Sequence, residues 1–481
     1  MSLFSHACLY LIPALPALML TGCRSFQSAQ LEWPQELSAW SDTSDANTPM
    51  TLAEARQCAL ILNPEINALR LRLLASRRFA LAAGWWDDPA LDFDALRILR
   101  GGPHPWLGGA GLAFTLPLNG VPGIERQAAQ AYTRADALAI IVAERELLAE
   151  VERLWNACLT DRRCAAAQND YKARLLTREP QVRALIAVGE LPASEGERLA
   201  QELIKLDLEC ACCGAETVAR QQALLRLLGL HPSAPLDLAQ EAEREDAAMP
   251  SETGVQSSAS GMLPESDLDL VRHPRVQEKL ARFAAGEIEL RAALRKQYPD
   301  ISFGPKFAHE EGGGRLGASL GFSLPLWNRN RKGIATAEGG RDAARLAAVN
   351  EWRSLVTEWH DAWRLLQIAE AQERGIRERQ LPAAKAAAER TERLLQQGEA
   401  DVPSALAADE MVYKAQAALI EAQRVSGEAR VRLNRLAVFR HCRVGTSDLS
   451  AVDLAKEGCS SGQTDACPSR RSGETCEGGL R

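Results

Sequence analysis

In the stretch Leu316-Gly317-Ala318-Ser319-Leu320-Gly321-Phe322-Ser323-Leu324 every even position is apolar, while the odd positions are small and weakly polar. Alternation with period two marks a strand with one face in apolar surroundings and the other toward water. Residues 110 to 116 repeat it, with Ala110, Leu112, Phe114 and Leu116 against Gly111, Ala113 and Thr115. Residues 301 to 307 set Ile301, Phe303, Pro305 and Phe307 against Ser302, Gly304 and Lys306. Leu91 to Leu99 alternates less well, with Asp92 and Asp94 facing inward and the pattern slipping after Ala95. Strands are therefore expected near 91-99, 109-117, 300-308 and 315-324, each of roughly the 9 to 11 residues that a tilted strand needs to cross a bilayer. Four strands cannot close a membrane barrel, since the smallest use about eight and an open edge in lipid leaves backbone groups unpaired. Several chains must pool their strands.

The strand pairs fall at matching places in a chain written twice. Asn63-Pro64-Glu65-Ile66 is echoed by His273-Pro274-Arg275-Val276, and Pro89 by Pro299, about 210 residues later. Phe114-Thr115-Leu116-Pro117-Leu118 is answered by Phe322-Ser323-Leu324-Pro325-Leu326, Gly123-Ile124 by Gly333-Ile334, and Gly189-Glu190 by Gly398-Glu399. Leu227-Leu228 meets Leu433-Asn434. Each half reads as a helix, a strand pair and two long helices. The first half has helices from about Thr51 to Ala83, Ile124 to Val188 and Ala193 to Leu228; the second has 267 to 297, 334 to 397 with a kink at Pro382, and 402 to 437. Ala418, Ala422, Val425, Ala429, Leu433 and Leu436 recur at spacings of three and four, a seam for packing on neighbouring helices. The fold class expected is mainly α with a membrane β-barrel. Residues 50-238 and 267-437 form the two repeats, joined by a Glu-, Ser-, Gly- and Pro-rich linker at 239-266 and followed by a Cys-rich tail at 438-481.

An apolar run from Cys8 to Leu20 ends in Leu20-Thr21-Gly22-Cys23. It reads as a signal peptide over 1-22, with a lipobox like that of bacterial lipoproteins and Cys23 as the lipid-bearing first residue of a linker over 23-49. No Lys or Arg precedes the run, and Pro13 and Pro16 interrupt it. Arg24 after the cysteine fits release to the outer membrane. No later stretch holds the roughly 18 to 20 apolar residues of a membrane helix. The 481 residues are only 5% aromatic, which suits long helices better than a broad globular core, and 56 Lys plus Arg against 63 Asp plus Glu leave no basic stripe for nucleic acid.

The chain resembles the TolC family of outer-membrane efflux ducts from about Met50 to Leu436. The resemblance rests on Leu52-Ala53-Glu54-Ala55 with Asn63-Pro64, on the strand end Phe322 to Leu326 followed by Trp327-Asn328-Arg329-Asn330 and Gly333-Ile334, and on the helix-hairpin tips. The strand-end signature looks most like the heavy-metal branch. The resemblance implies a homotrimer with a 12-strand β-barrel, four strands per chain, continued by an α-helical periplasmic tunnel that meets a periplasmic adaptor and an inner-membrane efflux pump. Pro117 and Pro325 would stand where strand hands over to helix. Outer-membrane lipid is the remaining partner, no cofactor is implied, and passive conduction replaces catalysis.

The turns at Val188 to Ser194 and Gln397 to Ser404 are then the periplasmic entrance and adaptor contact. Gly189 and Gly398 supply the permissive backbone of a helix end. Glu190, Glu399 and Asp401 are candidates for a ring of charge there, with Arg183 and Arg393 as ion-pair partners; the plainer reading is solvated charge. Counting back from the tip sets Cys164 level with Cys213 or Cys212. A disulfide from Cys164 to Cys213, free thiols and a soft-metal site all stay open. His104 and His309 are read as exposed loop residues, and Gly312 to Gly317 as a hairpin turn rather than a dinucleotide fingerprint, since no βαβ unit surrounds it. No catalytic motif is present. The alternative to a duct is a lipid-anchored periplasmic coiled-coil scaffold or efflux adaptor without a pore.

Overall fold

The computed structural model describes residues 26, 28, 31–41, 50–97, 106–238, 267–310 and 313–437. The signal peptide, Cys23, the linker at 239-266, His104 and the tail from 438 lie outside these residues.

Helix α1 (Trp33–Ser41) comes first among the described helices and rests the Trp40 ring edge-on against His231, centroids 4.9 Å apart. Thr51 then opens α2 (Leu52–Leu62) with a capping box: its hydroxyl accepts the Glu54 N–H and its own N–H donates to the Glu54 carboxylate at 2.8 Å. The single helix expected from Thr51 to Ala83 is two helices, because Pro64 forces Asn63 into an extended conformation. Asn63 caps α3 (Pro64–Ala82), its side-chain oxygen accepting the Glu65 and Ile66 N–H groups at 2.9 and 3.1 Å.

The second half breaks at the corresponding place. Beyond the first half's long helices α4 (Val121–Val188) and α5 (Ala193–Leu228), the helix expected over 267 to 297 is a 3₁₀ turn at Asp267–Arg272 followed by α6 (Pro274–Arg295). His273 does the work of Asn63, its Nδ1 accepting the Arg275 N–H at 3.3 Å. Asn63 Nδ2 donates to the Leu227 carbonyl at 3.0 Å, and His273 Nε2 reaches the Arg435 carbonyl at 3.3 Å. Each cap thus ties a Pro-led helix to the end of the returning helix of its own half.

Helix α4 (Val121–Val188) runs 68 residues, on the order of 100 Å, and carries Pro180 without breaking. Helix α5 (Ala193–Leu228) returns to Gly229, whose φ of 75° and close approach to Leu62, 2.6 Å from an added Cβ to the carbonyl oxygen, admit only glycine. Helices α7 (Arg331–Gly375), α8 (Leu381–Gln397) and α9 (Val402–Leu436) complete the second half. At the expected kink the ladder widens over Ile376–Gln380, where the Leu381 N–H reaches back five residues to the Ile376 carbonyl. Pro382, lacking an N–H, sits just past it, so the change of register absorbs the missing donor.

Helix α4 is the spine, packing on α2, α3 and α5 of its own half and on α6 and α9 of the other. Ala55, Ala59, Val151, Trp155, Leu224 and Leu228 are buried where α2, α4 and α5 meet, with Leu230 and Leu238 closing the cluster. Along α9, Ala422, Ala429, Leu433 and Leu436 of the expected seam are buried, while Val425 stays exposed.

Strands β1 (Ala90–Arg97), β2 (Trp106–Leu116), β3 (Ile301–Glu310) and β4 (Gly313–Phe322) form one antiparallel sheet in sequence order. The pairing of β1 holds past Ala95, through Leu96↔Leu107 and Arg97↔Trp106, so the slip in alternation puts Leu96 in register with the polar face and Arg97 with the apolar one. His309 belongs to β3, opposite Gly108 and Gly314, rather than to a loop. Gly313, Gly314 and Gly317 of the expected turn likewise belong to β4, since main-chain pairing to β3 overrides glycine's weak preference for strands.

Candidate functional site

Residues paired across antiparallel strands point to the same side. Asp92, Gly111, Lys306 and Gly317 therefore form one row, and Phe93, Ala110, Phe307 and Leu316 form the next, on the opposite face. One face carries Leu91, Phe93, Leu112, Phe114, Phe303, Phe307, Leu316 and Leu320; the other carries Asp92, Asp94, Thr115, Ser302, Lys306, Arg315 and Ser319. Phe114 stacks on Phe303 on the apolar side, and Lys306 Nζ meets Asp94 Oδ2 at 2.9 Å on the polar side. The two aspartates thus face with the polar residues, as the sequence suggested. Gly304 lets β2 come close, because a Cβ there would fall 1.6 Å from the Leu112 carbonyl oxygen.

The apolar face is exposed and covered by no other element among the described residues, where β1 and β4 each have one unpaired edge. At the ends nearest the helices, Trp85, Trp86, Tyr298 and Trp327 project into solvent, Trp327 at 84% exposure. Aromatic residues at strand ends mark a bilayer boundary. Sequence reading passed over this collar, although tryptophans flanking strands were its signal. Pro117 and Pro325 stand at the handover as expected, each spanned by the same tight turn, Leu118 N–H to Leu116 O and Leu326 N–H to Leu324 O, both 2.9 Å.

Among the described residues no helix is long and apolar enough to cross a membrane.

At the far end of the helices the two tips are built alike. Gly189 and Gly398 adopt φ of 82° and 77°. The Glu190 N–H reaches the Leu185 carbonyl and the Glu399 N–H the Leu394 carbonyl, both at 2.9 Å. Glu190 and Glu399 are exposed. Arg183 pairs with Glu179 on its own helix rather than with a tip acid, and Arg393 donates to the Glu389 carbonyl at 3.3 Å. Asp401 caps α9, accepting the Ser404 N–H at 3.1 Å, and the hydrogen bond from the Ser404 hydroxyl, then that from its N–H, holds its carboxyl below the usual range.

A charge cluster that sequence reading missed lies about two turns behind the tips. Arg178 on α4 donates to Asp409 on α9 at 2.8 Å and to Glu392 on α8 at 2.6 Å, with Arg174 3.6 Å from Asp409. Asp409 is buried and the Arg178 side chain is 15% exposed. The hydrogen bond from Arg178 holds Glu392 below the usual carboxylate range. One turn away Tyr171 stacks on Tyr413, centroids 4.5 Å apart. These contacts fasten the hairpin of the first half to that of the second.

Cys164 and Cys213 are unbridged thiols. The Gln168 amide lies between Cys213, 3.8 Å from its Nε2, and Cys210, whose Sγ donates to Oε1 at 3.3 Å. Burial, then Cys213, Asp161 and Cys210, pushes the Cys164 thiol up, and burial pushes Cys158 up to about 11. Among the described residues no cluster of His, Cys, Asp and Glu has the geometry of a metal site.

No family model matches the chain, and no curated protein matches it in sequence. Solved structures do. A membrane protein from Pseudomonas aeruginosa is 19% identical with a TM-score of 0.67, over 80% of this chain and 89% of that one. CusC, whose structures concern folding and transmembrane channel formation, is 17% identical with a TM-score of 0.67, over 80% and 91%. The outer membrane protein VceC of Vibrio cholerae is 16% identical with a TM-score of 0.64, over 82% and 97%. The chain shares the fold of these three proteins.

Proposed function

We propose that the protein is the outer-membrane channel of a tripartite efflux system, a homotrimer that passively conducts substrate from a periplasmic adaptor and inner-membrane pump to the outside and performs no chemistry. One observation carries this reading: a four-stranded sheet with one apolar face, one polar face and two unpaired edges. In lipid those edges are tolerable only when other copies cover them. The near-identical tips support a repeated unit that meets the adaptor through both hairpins, with Glu190 and Glu399 as the exposed charges. The Trp327-Asn328-Arg329-Asn330 turn makes metal cations the first cargo class to test.

Lipid attachment at Cys23 is supported by the lipobox Leu20-Thr21-Gly22-Cys23 and by the length of chain ahead of α1. Helix α1 contacts His231 beside Gly229 and Leu62, and the 19-residue α3 spans roughly 28 Å from there to the barrel base. Ten residues from Cys23 to Trp33 reach about 35 Å, enough to return to the membrane. Palmitate labelling of wild type against Cys23→Ala tests it.

The channel reading is tested by light scattering in detergent and conductance in planar bilayers. It expects a trimer with discrete conductance steps. A delipidated monomer, stable in plain buffer and silent in bilayers, would overturn it in favour of the poreless scaffold or adaptor.

A further inference from the structure

Several charged groups near the sheet have no partner of opposite charge among the described residues. At the base of the sheet, Asp87 and Asp88 stand exposed just before β1, and Arg329, Arg331 and Lys332 stand exposed just after β4. None of the five has an acid or base partner among the described residues; Arg329 Nε only touches the Pro325 carbonyl at 3.3 Å. Asp87 and Asp88 belong to one open edge, and the cations to the other.

Strand order places these groups together between copies. The four strands alternate in direction, so β4 of one copy can lie antiparallel to β1 of the next and continue the same alternation. The end of β4 then meets the beginning of β1. The same kind of junction exists inside the chain, where the end of β2 meets the beginning of β3. There the turn after β2 touches the segment before β3: Asn119 Nδ2 donates to Asp300 at 2.7 Å and approaches the Tyr298 carbonyl at 3.5 Å. Lys296 pairs with Glu125 beside it at 2.8 Å. By analogy, the turn Trp327 to Lys332 falls against Asp87 and Asp88 of the adjoining copy.

The backbone of this turn argues that its side chains matter. Arg329 and Asn330 are the only non-glycine residues with positive φ among the described residues, 40° and 51°. The turn after β2 uses Gly120, φ 69°, and carries no charge. Arginine is disfavoured in the left-handed region by roughly 1 kcal/mol or more relative to glycine, so a bare turn would be cheaper with glycine.

We propose that Arg329, Arg331 and Lys332 of one copy clasp Asp87 and Asp88 of a second copy, setting the register in which β4 and β1 join. The clasp is an ionic latch between identical chains at the periplasmic rim of the sheet. It rests on the reading that copies pool their strands, and it adds which residues select the alignment.

Charge reversal tests it on the full-length protein in detergent. The readout is the lifetime of the oligomer at fixed temperature, followed by light scattering and by migration on unheated gels, at low and high salt. Asp87→Lys with Asp88→Lys, and separately Arg331→Glu with Lys332→Glu, should each shorten that lifetime at least about tenfold, because like charges then face each other. Combining all four should restore it to within about threefold of wild type, an outcome that general damage to folding cannot produce. Arg329→Gly should fold at least as well, judged by circular dichroism, yet shorten the lifetime. Unchanged lifetimes in both reversals would overturn the proposal while leaving the channel reading intact. So would a lysine–arginine reversal that weakens assembly without rescue by the aspartate change, the result expected if the cations met anionic lipid headgroups instead. A wild type that never oligomerises would remove the channel reading itself.

Discussion

His273→Asn should make the protein resist acid without costing it stability at neutral pH. The imidazole is buried and uses both nitrogens: Nδ1 accepts the Arg275 N–H, so Nε2 must carry the proton it shares with the Arg435 carbonyl. Only the neutral ring can do this. A second proton would sit on Nδ1, pointing at an N–H. Burial first, then the Arg145 charge, lowers the pKa from 6.5 to about 4, with Arg275 adding to the fall and the Arg435 carbonyl and Glu358 opposing it. The unfolded chain therefore takes up a proton near pH 6.5 that the folded chain refuses until about pH 4. Between those values the unfolded state binds more protons, and stability is lost as pH falls through the window. The difference of roughly 2.5 units corresponds to about 3 kcal/mol per subunit. Asn63 occupies the corresponding position before Pro64, caps its helix and reaches a helix-end carbonyl without any titratable group. Denaturant unfolding in detergent, followed by helical circular dichroism from pH 7.5 to 4.5, should show wild type losing about 3 kcal/mol more than His273→Asn across that range. Parallel loss in the two proteins would refute the assignment of the tautomer and the cap.

Arg178→Ala leaves the buried Asp409 with only the longer contact to Arg174 and should destabilise the helical bundle by up to about 3 kcal/mol while raising bilayer conductance, measured by melting and by planar-bilayer recording; unchanged stability and conductance would refute it. Because Arg178 holds Glu392 below the usual carboxylate range, its contribution is present above the unfolded carboxylate pKa and lost only as pH falls through the lower folded value, so the Arg178–Glu392 contact should hold, and conductance stay constant, from pH 7 to 5 in the same recording. Gly304→Ala forces a Cβ onto the Leu112 carbonyl and should abolish membrane insertion in a vesicle-flotation assay; normal flotation would show that β2 and β3 can separate at no cost. Peptide mapping without reduction should recover Cys164 and Cys213 as separately alkylated thiols, with Cys158 alkylated only after unfolding; a peptide joining Cys164 to Cys213 would refute the free-thiol arrangement.

Most of the architecture was legible because it rests on short-range rules. Alternation located the strands to within a few residues, and glycines 189 and 398 located the tips, since a left-handed helix end tolerates little else. The errors came where a longer-range contact overruled local preference. Asn63 and His273 divide what looked like continuous helices, because the residue before proline must extend and its side chain then finds a distant carbonyl. Gly313 to Gly317 looked like a turn until β3 supplied hydrogen-bond partners. The Arg178 cluster was invisible because its acids lie more than 200 residues away in the second half, 214 for Glu392 and 231 for Asp409. Nothing in the local sequence of Arg178 distinguishes it from the solvated arginines around it.

The two raw borders of the sheet have a consequence for how the particle is born. One chain presents two such borders, and so does a pair of chains, because every junction made hides one border of each participant and leaves the outermost two untouched. Only closure into a ring removes the last of them. Where copies pool their strands as proposed, a half-built species of any size carries the same two bare borders as one chain, so only the closing junction frees the particle of them and partial rings are driven to add subunits.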